Sequence, residues 1–246
     1  MRNLKLILQY DGSMFHGFQI QPVARTVQGE LETMLTRITG ETIHVQGCSR
    51  TDAGVHAYRY CCNFKTNFHI PAERLPIVLN NSHIDDIRFI SCCEVDDEFN
   101  ARFDTKYKTY KYVINTSAEP DIYTRNYQWH YGGKNKLNVD LMKKASEYII
   151  GEHDFCSFMT SGAQVTSTVR EVFSLEVIEN SDVIEIIISA DGYLYNMVRI
   201  IVGTFVNVGE GKYTPEYVKE IISLCNRQYA GPTAPPQGLY LYDIVY

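Results

Sequence analysis

Between Gly47 and Ala57 the chain reads Gly-Cys-Ser-Arg-Thr-Asp-Ala-Gly-Val-His-Ala, and a single carboxylate, Asp52, stands there between an arginine and a glycine. Residue types in that order suit nucleophilic chemistry. An ionised carboxylate held in place can attack carbon. Arg50, two residues away, can keep it ionised by charge and hydrogen bonding, lowering its pKa. Gly54 permits a turn that a side chain would resist. A turn-capping aspartate with a surface arginine partner accounts for the same spacing, so spacing alone leaves both readings open. The segment lies between two strand-like stretches, where a rigid scaffold presents a loop.

Hydrophobic periodicity outlines the elements that must hold this loop. Leu4, Leu6, Leu8 and Tyr10 alternate with Lys5, Ile7 and Gln9, which predicts a strand stopped by Asp11-Gly12. Val27, Leu31, Met34, Leu35 and Ile38 follow helical spacing, with Thr26 as N-cap and Gly40 just past the end. Ile43 to Gln46 reads as a short strand and Tyr58 to Lys65 as a longer one. A short helix follows Pro71, weakened by Pro76. Ile87 to Val95 is a further strand. The order is strand, helix, strand, strand, helix, strand. The second half repeats the theme: a strand over Tyr107–Asn115, a helix through Leu141, Ala145 and Ile149 ended by Gly151, and a strand pair around Asn180-Ser181. A helix over Tyr193–Val208 is apolar nearly all round and therefore buried. Another opens at Thr214-Pro215, and Leu239–Tyr246 closes the chain as a strand. The predicted class is α+β: two ferredoxin-like (RRM-like) halves, residues 1–100 and 101–246, with mainly antiparallel sheets expected to join into one continuous sheet and helices on one face.

Composition sets outer bounds. The 246 residues are 45% hydrophobic and 21% charged, as in ordinary globular proteins. No run approaches the ~20 apolar residues that span a bilayer, and the start carries no signal-peptide pattern, so a cytoplasmic protein is expected. The seven cysteines include no Cys-x-x-Cys pair. Cys61-Cys62 and Cys92-Cys93 fall in strands, where neighbours point to opposite faces and are badly placed to share a metal. Reduced thiols are the expectation. The net charge of −6 argues mildly against nucleic acid, although a local basic groove can exist on an acidic chain.

The run Arg50-Thr51-Asp52-Ala53-Gly54-Val55-His56-Ala57 closely resembles the signature of the TruA family of tRNA pseudouridine synthases. Other blocks follow in that family's order: Tyr10-Asp11-Gly12 with Phe15, Gly17 and Gln19; Phe99-Asn100-Ala101-Arg102-Phe103 with Tyr110-Lys111-Tyr112; Trp129-His130-Tyr131; Gly151 to Phe155; Asn196-Met197-Val198-Arg199 running into Ile201-Val202-Gly203; and Gly238-Leu239-Tyr240-Leu241. The resemblance spans nearly the whole chain. It implies a cofactor-free homodimer that modifies uridines of the tRNA anticodon stem-loop, positions 38 to 40. It implies that Asp52 is the essential aspartate and that Arg50 helps keep the target base flipped out. By the same resemblance Tyr110 packs on that base and accepts a proton from the sugar, Arg199 pairs with the catalytic aspartate, and Leu239 is an apolar contact in the pocket.

The chemistry is consistent with those roles. Pseudouridine formation breaks a C–N glycosidic bond and makes a C–C bond between the same base and sugar. Nothing is oxidised and no water is consumed overall, so neither a metal nor a nucleotide cofactor is required. The base must leave its stack at a cost of a few kcal/mol, and an aromatic such as Tyr110 recovers ~1–3 kcal/mol by stacking. Each residue also has a plainer reading: Tyr110 as sheet packing, Leu239 as core, His56 and His153 as structural or RNA-contacting groups. Three departures from the family pattern flank the signature: Ser49 for a glycine, Tyr58-Arg59-Tyr60 for a small stretch, and Lys108-Thr109-Tyr110 for an arginine-rich approach. Two alternatives follow, a paralogue acting on another tRNA or ribosomal RNA site, and a non-catalytic RNA-binding or RNA-folding protein on the same scaffold. A metal-dependent hydrolase needs clustered ligands that the spacing does not offer. The cations expected to line an RNA cleft are Arg25, Arg50, Arg59, Arg102, Lys106 and Lys108; Lys106, Lys108 and Lys111, alternating around Tyr107 and Tyr110, read equally as a phosphate-facing edge or as a solvated strand face.

Overall fold

A computed structural model describes residues 1–82, 84–133, 135–160, 162 and 165–246. Along the chain the elements are β1 (Arg2–Tyr10), α1 (Val27–Thr39), β2 (Gln46–Gly47), β3 (His56–Thr66), α2 (Leu75–Asn80), β4 (Ile87–Val95), β5 (Tyr107–Asn115), β6 (Trp129–His130), α3 (Val139–Ser146), β7 (Gly151–Asp154), β8 (Val169–Asn180), β9 (Val183–Ala190), α4 (Met197–Gly209), α5 (Tyr217–Leu224) and β10 (Leu239–Val245). The fold is α+β, with mostly antiparallel strand pairs. Two units form: Met1–Lys106 together with Tyr240–Tyr246, and Tyr107–Leu239.

In the first unit β1 is central, antiparallel to β3 (Leu4 opposite Phe64, Leu6 opposite Cys62) and to β4 (Leu6 opposite Cys92). The far edge of β3 is shared. β2 pairs with its C-terminal half, antiparallel, at Asn63 and Cys62. β10 pairs with its start, parallel, at His56 and Ala57. The chain order β-α-β-β-α-β with β4, β1, β3 and β2 side by side is ferredoxin-like. Helix α1 begins where predicted: Thr26 leaves the helical region and its hydroxyl accepts the Gly29 N–H at 3.3 Å. It ends at Gly40, which adopts the left-handed conformation at φ 73°. Val27, Leu31, Met34 and Leu35 form the buried stripe.

Two local expectations for this unit are corrected. Ile43 and Val45 are buried and alternate with exposed residues, yet they lie outside any strand. Their N–H groups go to side chains of α1, Ile43 to Thr36 Oγ1 at 3.3 Å and Val45 to Glu32 Oε1 at 2.9 Å, so only Gln46 and Gly47 join the ladder. Pro76 does not weaken α2. It sits in the first turn, where its missing N–H has no partner to lose.

In the second unit β9 lies between β5 and β8, with β7 beyond β8, all antiparallel, while β6 runs parallel to the end of β5. The order β5, α3, β8, β9, α4 repeats the first unit's β-α-β-β-α series. Helix α4 is buried on nearly every side, as its uniform apolarity predicts. Its start is later than expected, because Asn196 holds φ 63° and interrupts the helical path. Gly151 opens β7 at φ 106° rather than ending a helix; α3 stops at Ser146. Thr214 and Pro215 form a turn that precedes α5, which begins at Tyr217.

The expectation of wholly reduced cysteines is corrected as well. Cys156 and Cys225, 69 residues apart, are joined as a disulfide with Cα atoms 5.2 Å apart, a separation suited to the bond. No spacing rule links a residue in a short turn to one capping α5, so the pair has no local signature. Together with Asp154 these sulfurs make the one cluster of metal-ligand types among the described residues. Cys48, Cys61, Cys62 and Cys92 are buried free thiols. Burial pushes Cys61 up to about 11 and Cys92 up to about 12, which keeps them protonated. Among the described residues no helix is long and apolar enough to cross a membrane.

Candidate active site

The Asp52 loop leaves β2 at Gly47 and enters β3 at His56, and backbone hydrogen bonds brace it from several directions. Cys48 N–H donates to Cys61 O at 3.0 Å, Phe18 N–H to Thr51 O at 3.1 Å, and Gly54 N–H to Phe15 O at 3.3 Å. Thr51 is buried, and its hydroxyl meets the Tyr10 hydroxyl at 2.8 Å. The tip is a turn closed by Val55 N–H on Asp52 O at 3.2 Å, with Gly54 at φ 77°. Asp52 is half-buried, flanked by the exposed Arg50 and Ala53.

Aromatic rings floor the loop. Phe18 stacks on Tyr60 with centroids 4.7 Å apart, and Tyr10 lies 5.5 Å from Tyr60. The Tyr60 hydroxyl donates to Ser49 O. Burial holds its pKa well above the ordinary value, so it stays a donor. Two of the three departures from the family pattern therefore meet each other, Tyr60 anchoring the carbonyl of Ser49. A side chain at Gly47 would collide with that same Tyr60 hydroxyl and with Phe18.

The segment Gly12–Arg25 supplies the opposite wall. A Cβ at Gly12 would collide with the Val55 carbonyl. The Gly12 N–H donates to His56 Nδ1 at 3.0 Å. That bond assigns the lone pair to Nδ1, so the Asp11 carboxylate 3.2 Å from the same nitrogen is a close neighbour and not a salt-bridge partner. His56 is thus a buried structural group. Gly17 holds φ 86°, and a Cβ there would stand 2.6 Å from Thr51 O and 3.2 Å from the Asp52 carbonyl carbon. Gly17→Ala is expected to destabilise the protein by about 1–3 kcal/mol and to lower activity more than a stability loss of that size explains, since the strain falls on the Asp52 backbone. Denaturant titration beside single-turnover rates checks this; a variant with wild-type rate and midpoint refutes the bracing role.

The expected cations divide into two groups. Arg25 is committed: its Nε donates to Glu30 at 2.7 Å, its Nη1 pairs with Asp86, and its guanidinium lies 4.3 Å over Phe15. It pins the Gly12–Arg25 segment and is not a free phosphate ligand. Lys111 pairs with Glu185 at 3.1 Å across β5 and β9, and Arg59 reaches Asp243 at 3.5 Å. Arg50, Arg102 and Lys106 are exposed and form no ion pair among the described residues. The expected Arg50–Asp52 pair does not form. Arg50 instead lines a pocket of about 310 Å³ beside the loop, with Phe18, Gly47, Asn100, Arg102 and Phe103. Spacing gave no sign of this pocket, because residues 99–103 carry no periodic signal and only the family pattern marks them.

Tyr110, Arg199 and Leu239 lie in the second unit. Tyr110, 5% exposed, faces Ile188 in the β5–β9 ladder and meets Tyr193 edge-on at 4.8 Å. The Tyr193 hydroxyl ties down Lys108 O and Ile188 O at 2.9 and 2.8 Å. Arg199 lies in the first turn of α4, half-buried. Its Nε donates to Ala234 O at 2.7 Å and its Nη1 to Asn196 Oδ1 at 2.6 Å, while Ala234 N–H returns to Arg199 O at 3.0 Å. Asn196, whose left-handed backbone sets where the helix begins, thus also orients the guanidinium through its side-chain oxygen. Leu239 is 6% exposed at the start of β10.

The braced loop presents one half-buried carboxylate beside stacked aromatic rings and the exposed Arg50, an arrangement suited to nucleophilic chemistry on an anionic substrate. The family model for tRNA pseudouridine synthase matches residues 6–104 and 145–246. The curated tRNA pseudouridine synthase A of Thermoanaerobacter sp. (strain X514) is 48% identical over the full length of both chains. That of Clostridium acetobutylicum is 47% identical and the tRNA pseudouridine synthase A 2 of Clostridium perfringens 44%, again over the full length of both. The chain belongs to the tRNA pseudouridine synthase family.

Proposed function

We propose that this protein isomerises uridine to pseudouridine in the anticodon stem-loop of tRNA, as a cytoplasmic homodimer, with Asp52 as the nucleophilic carboxylate. The observation that carries this reading is the Arg50–Ala57 signature folded into a rigid loop with Asp52 half-buried at its turn. The base leaves C1′ through N1 and returns through C5, so one C–N bond breaks and one C–C bond forms, with the C5 proton lost and an N1 proton gained. Arg50 helps keep the target base flipped out. Tyr110 packs on the base and accepts a proton from the sugar, Arg199 pairs with the Asp52 carboxylate, and Leu239 lines the apolar side of the pocket. Relatives of nearly half identity that carry the tRNA pseudouridine synthase name support the substrate class.

The test incubates the protein with unmodified tRNA and ribosomal RNA transcripts and maps pseudouridine in both. Product confined to the anticodon stem-loop is the expected result. Product elsewhere in tRNA or in ribosomal RNA moves the target, and none on any RNA overturns the reading. Sedimentation of the active protein checks the homodimer.

A further inference from the structure

We propose that the pocket beside the Asp52 loop is a subsite for a second nucleotide, the immediate neighbour of the target uridine, whose base stacks on Phe103 and whose phosphate takes Arg50 and Arg102. The inference rests on the RNA-modifying reading above and adds a binding site to it.

Phe103, 73% exposed, is one of the residues that line the pocket. A large apolar ring left in water does nothing for the core, and beside cations it offers a face on which a base can stack. The Arg102 guanidinium lies 5.3 Å over this ring, so a π-face and a cation are offered together, and Arg50 adds a second cation on the same pocket. A flat π-system joined to an anion answers that combination, and in RNA that unit is the nucleotide. The volume of about 310 Å³ falls at the small end of ligand pockets.

The turn that presents these groups is held from all sides, as a preformed site requires. Asn100 N–H donates to Asp104 Oδ2 at 2.8 Å, Arg102 N–H to Asn100 Oδ1 at 2.9 Å, and Phe103 N–H to Asn100 O at 3.2 Å. Ala101 is fully buried; its N–H donates to Asn63 Oδ1 at 2.8 Å and its carbonyl accepts from the Tyr246 hydroxyl at 2.7 Å. Asn100 Nδ2 donates to Gln46 Oε1 at 2.6 Å. Gln46 belongs to β2, the strand that runs directly into the Asp52 loop, so the subsite and the carboxylate share one support.

Phe103→Ala, Phe103→Trp and the wild type are compared on three tRNA transcripts: intact, abasic one nucleotide 5′ of the target, and abasic one nucleotide 3′ of it. Affinity and single-turnover rate at saturation are both read. On intact RNA, Phe103→Ala is expected to bind about 5- to 150-fold more weakly, the range that stacking one base on an aromatic contributes, with Phe103→Trp close to wild type. One abasic transcript is expected to weaken wild-type binding by a similar factor and to leave Phe103→Ala unaffected by the missing base. Equal losses from the Phe103→Ala change on all three transcripts, or no loss on intact RNA, overturn the subsite. A Phe103→Ala protein that sediments at half the wild-type mass and shows no abasic effect assigns the ring to a contact between copies and also overturns it. Wild-type pseudouridine formation on intact RNA separates these failures from failure of the enzymatic reading.

Discussion

Asp52→Asn is expected to lower the single-turnover rate of pseudouridine formation by at least about 10³-fold, a loss in keeping with removal of a nucleophile, while the fold and the RNA affinity stay near wild type. The loop gives the reason to expect both halves of that result. Its turn is closed by the backbone carbonyl of residue 52, through the Val55 N–H, and its flanks are held by Thr51, Gly54 and Cys48. None of those bonds uses the carboxylate, so the amide inherits a preformed position. Asparagine matches the carboxylate in shape and offers one oxygen acceptor, but it carries no charge and attacks carbon poorly. A thermal or denaturant melt beside filter binding of tRNA would confirm that the variant is folded and loaded. Substantial product from a folded, RNA-bound variant would remove Asp52 from the chemistry and leave the loop as a binding element.

The parts of this fold that could be read in advance are those where side chains and backbone agree locally. Helix α1 shows this at both ends, since Thr26 and Gly40 satisfy orphan groups of the same helix. β4 and β5 span the predicted residues because their alternation is matched by partners on a ladder. Ile43 and Val45 show where such reasoning runs out. Their burial alternates as a strand's does, but Thr36 and Glu32 take their amides, and nothing in four residues reveals that choice. The site divides in the same way. The Asp52 signature is contiguous and therefore visible. Its supports, Gly12 and Gly17, become necessary only through close approach to Val55 and Thr51, 43 and 34 positions away in the sequence. In the sequence Arg25 is one surface cation among many; in the fold Glu30 and Asp86 surround it. Charge by residue type is legible in a sequence; charge left over after pairing is a property of the fold.

That leftover charge sets the second large effect, the salt dependence of RNA binding. The chain carries a net charge of −6, so attraction to phosphate cannot be diffuse. It must come from cations whose charge is not already spent. Of the cations considered for the cleft, Arg25, Lys111 and Arg59 have carboxylate partners, while Arg50, Arg102 and Lys106 are exposed without an ion pair among the described residues. Three phosphate contacts predict a slope of log K against log salt of about −2 to −3, or a loss of about 15- to 60-fold in affinity between roughly 50 and 200 mM salt. A homodimer that sets both copies against one tRNA doubles the contacts and steepens the slope to about −4 to −6. Alanine at Arg102 or Lys106 is expected to flatten the single-copy slope by about 0.7 to 0.9. Arg25→Ala is expected to leave the slope unchanged and to loosen the Gly12–Arg25 wall instead, with the loss appearing in stability. Titrating tRNA into each variant across a salt series reads all of these at once. An affinity indifferent to salt, or a slope flattened by Arg25→Ala and untouched by Arg102→Ala and Lys106→Ala, would place the RNA on a different face of the protein.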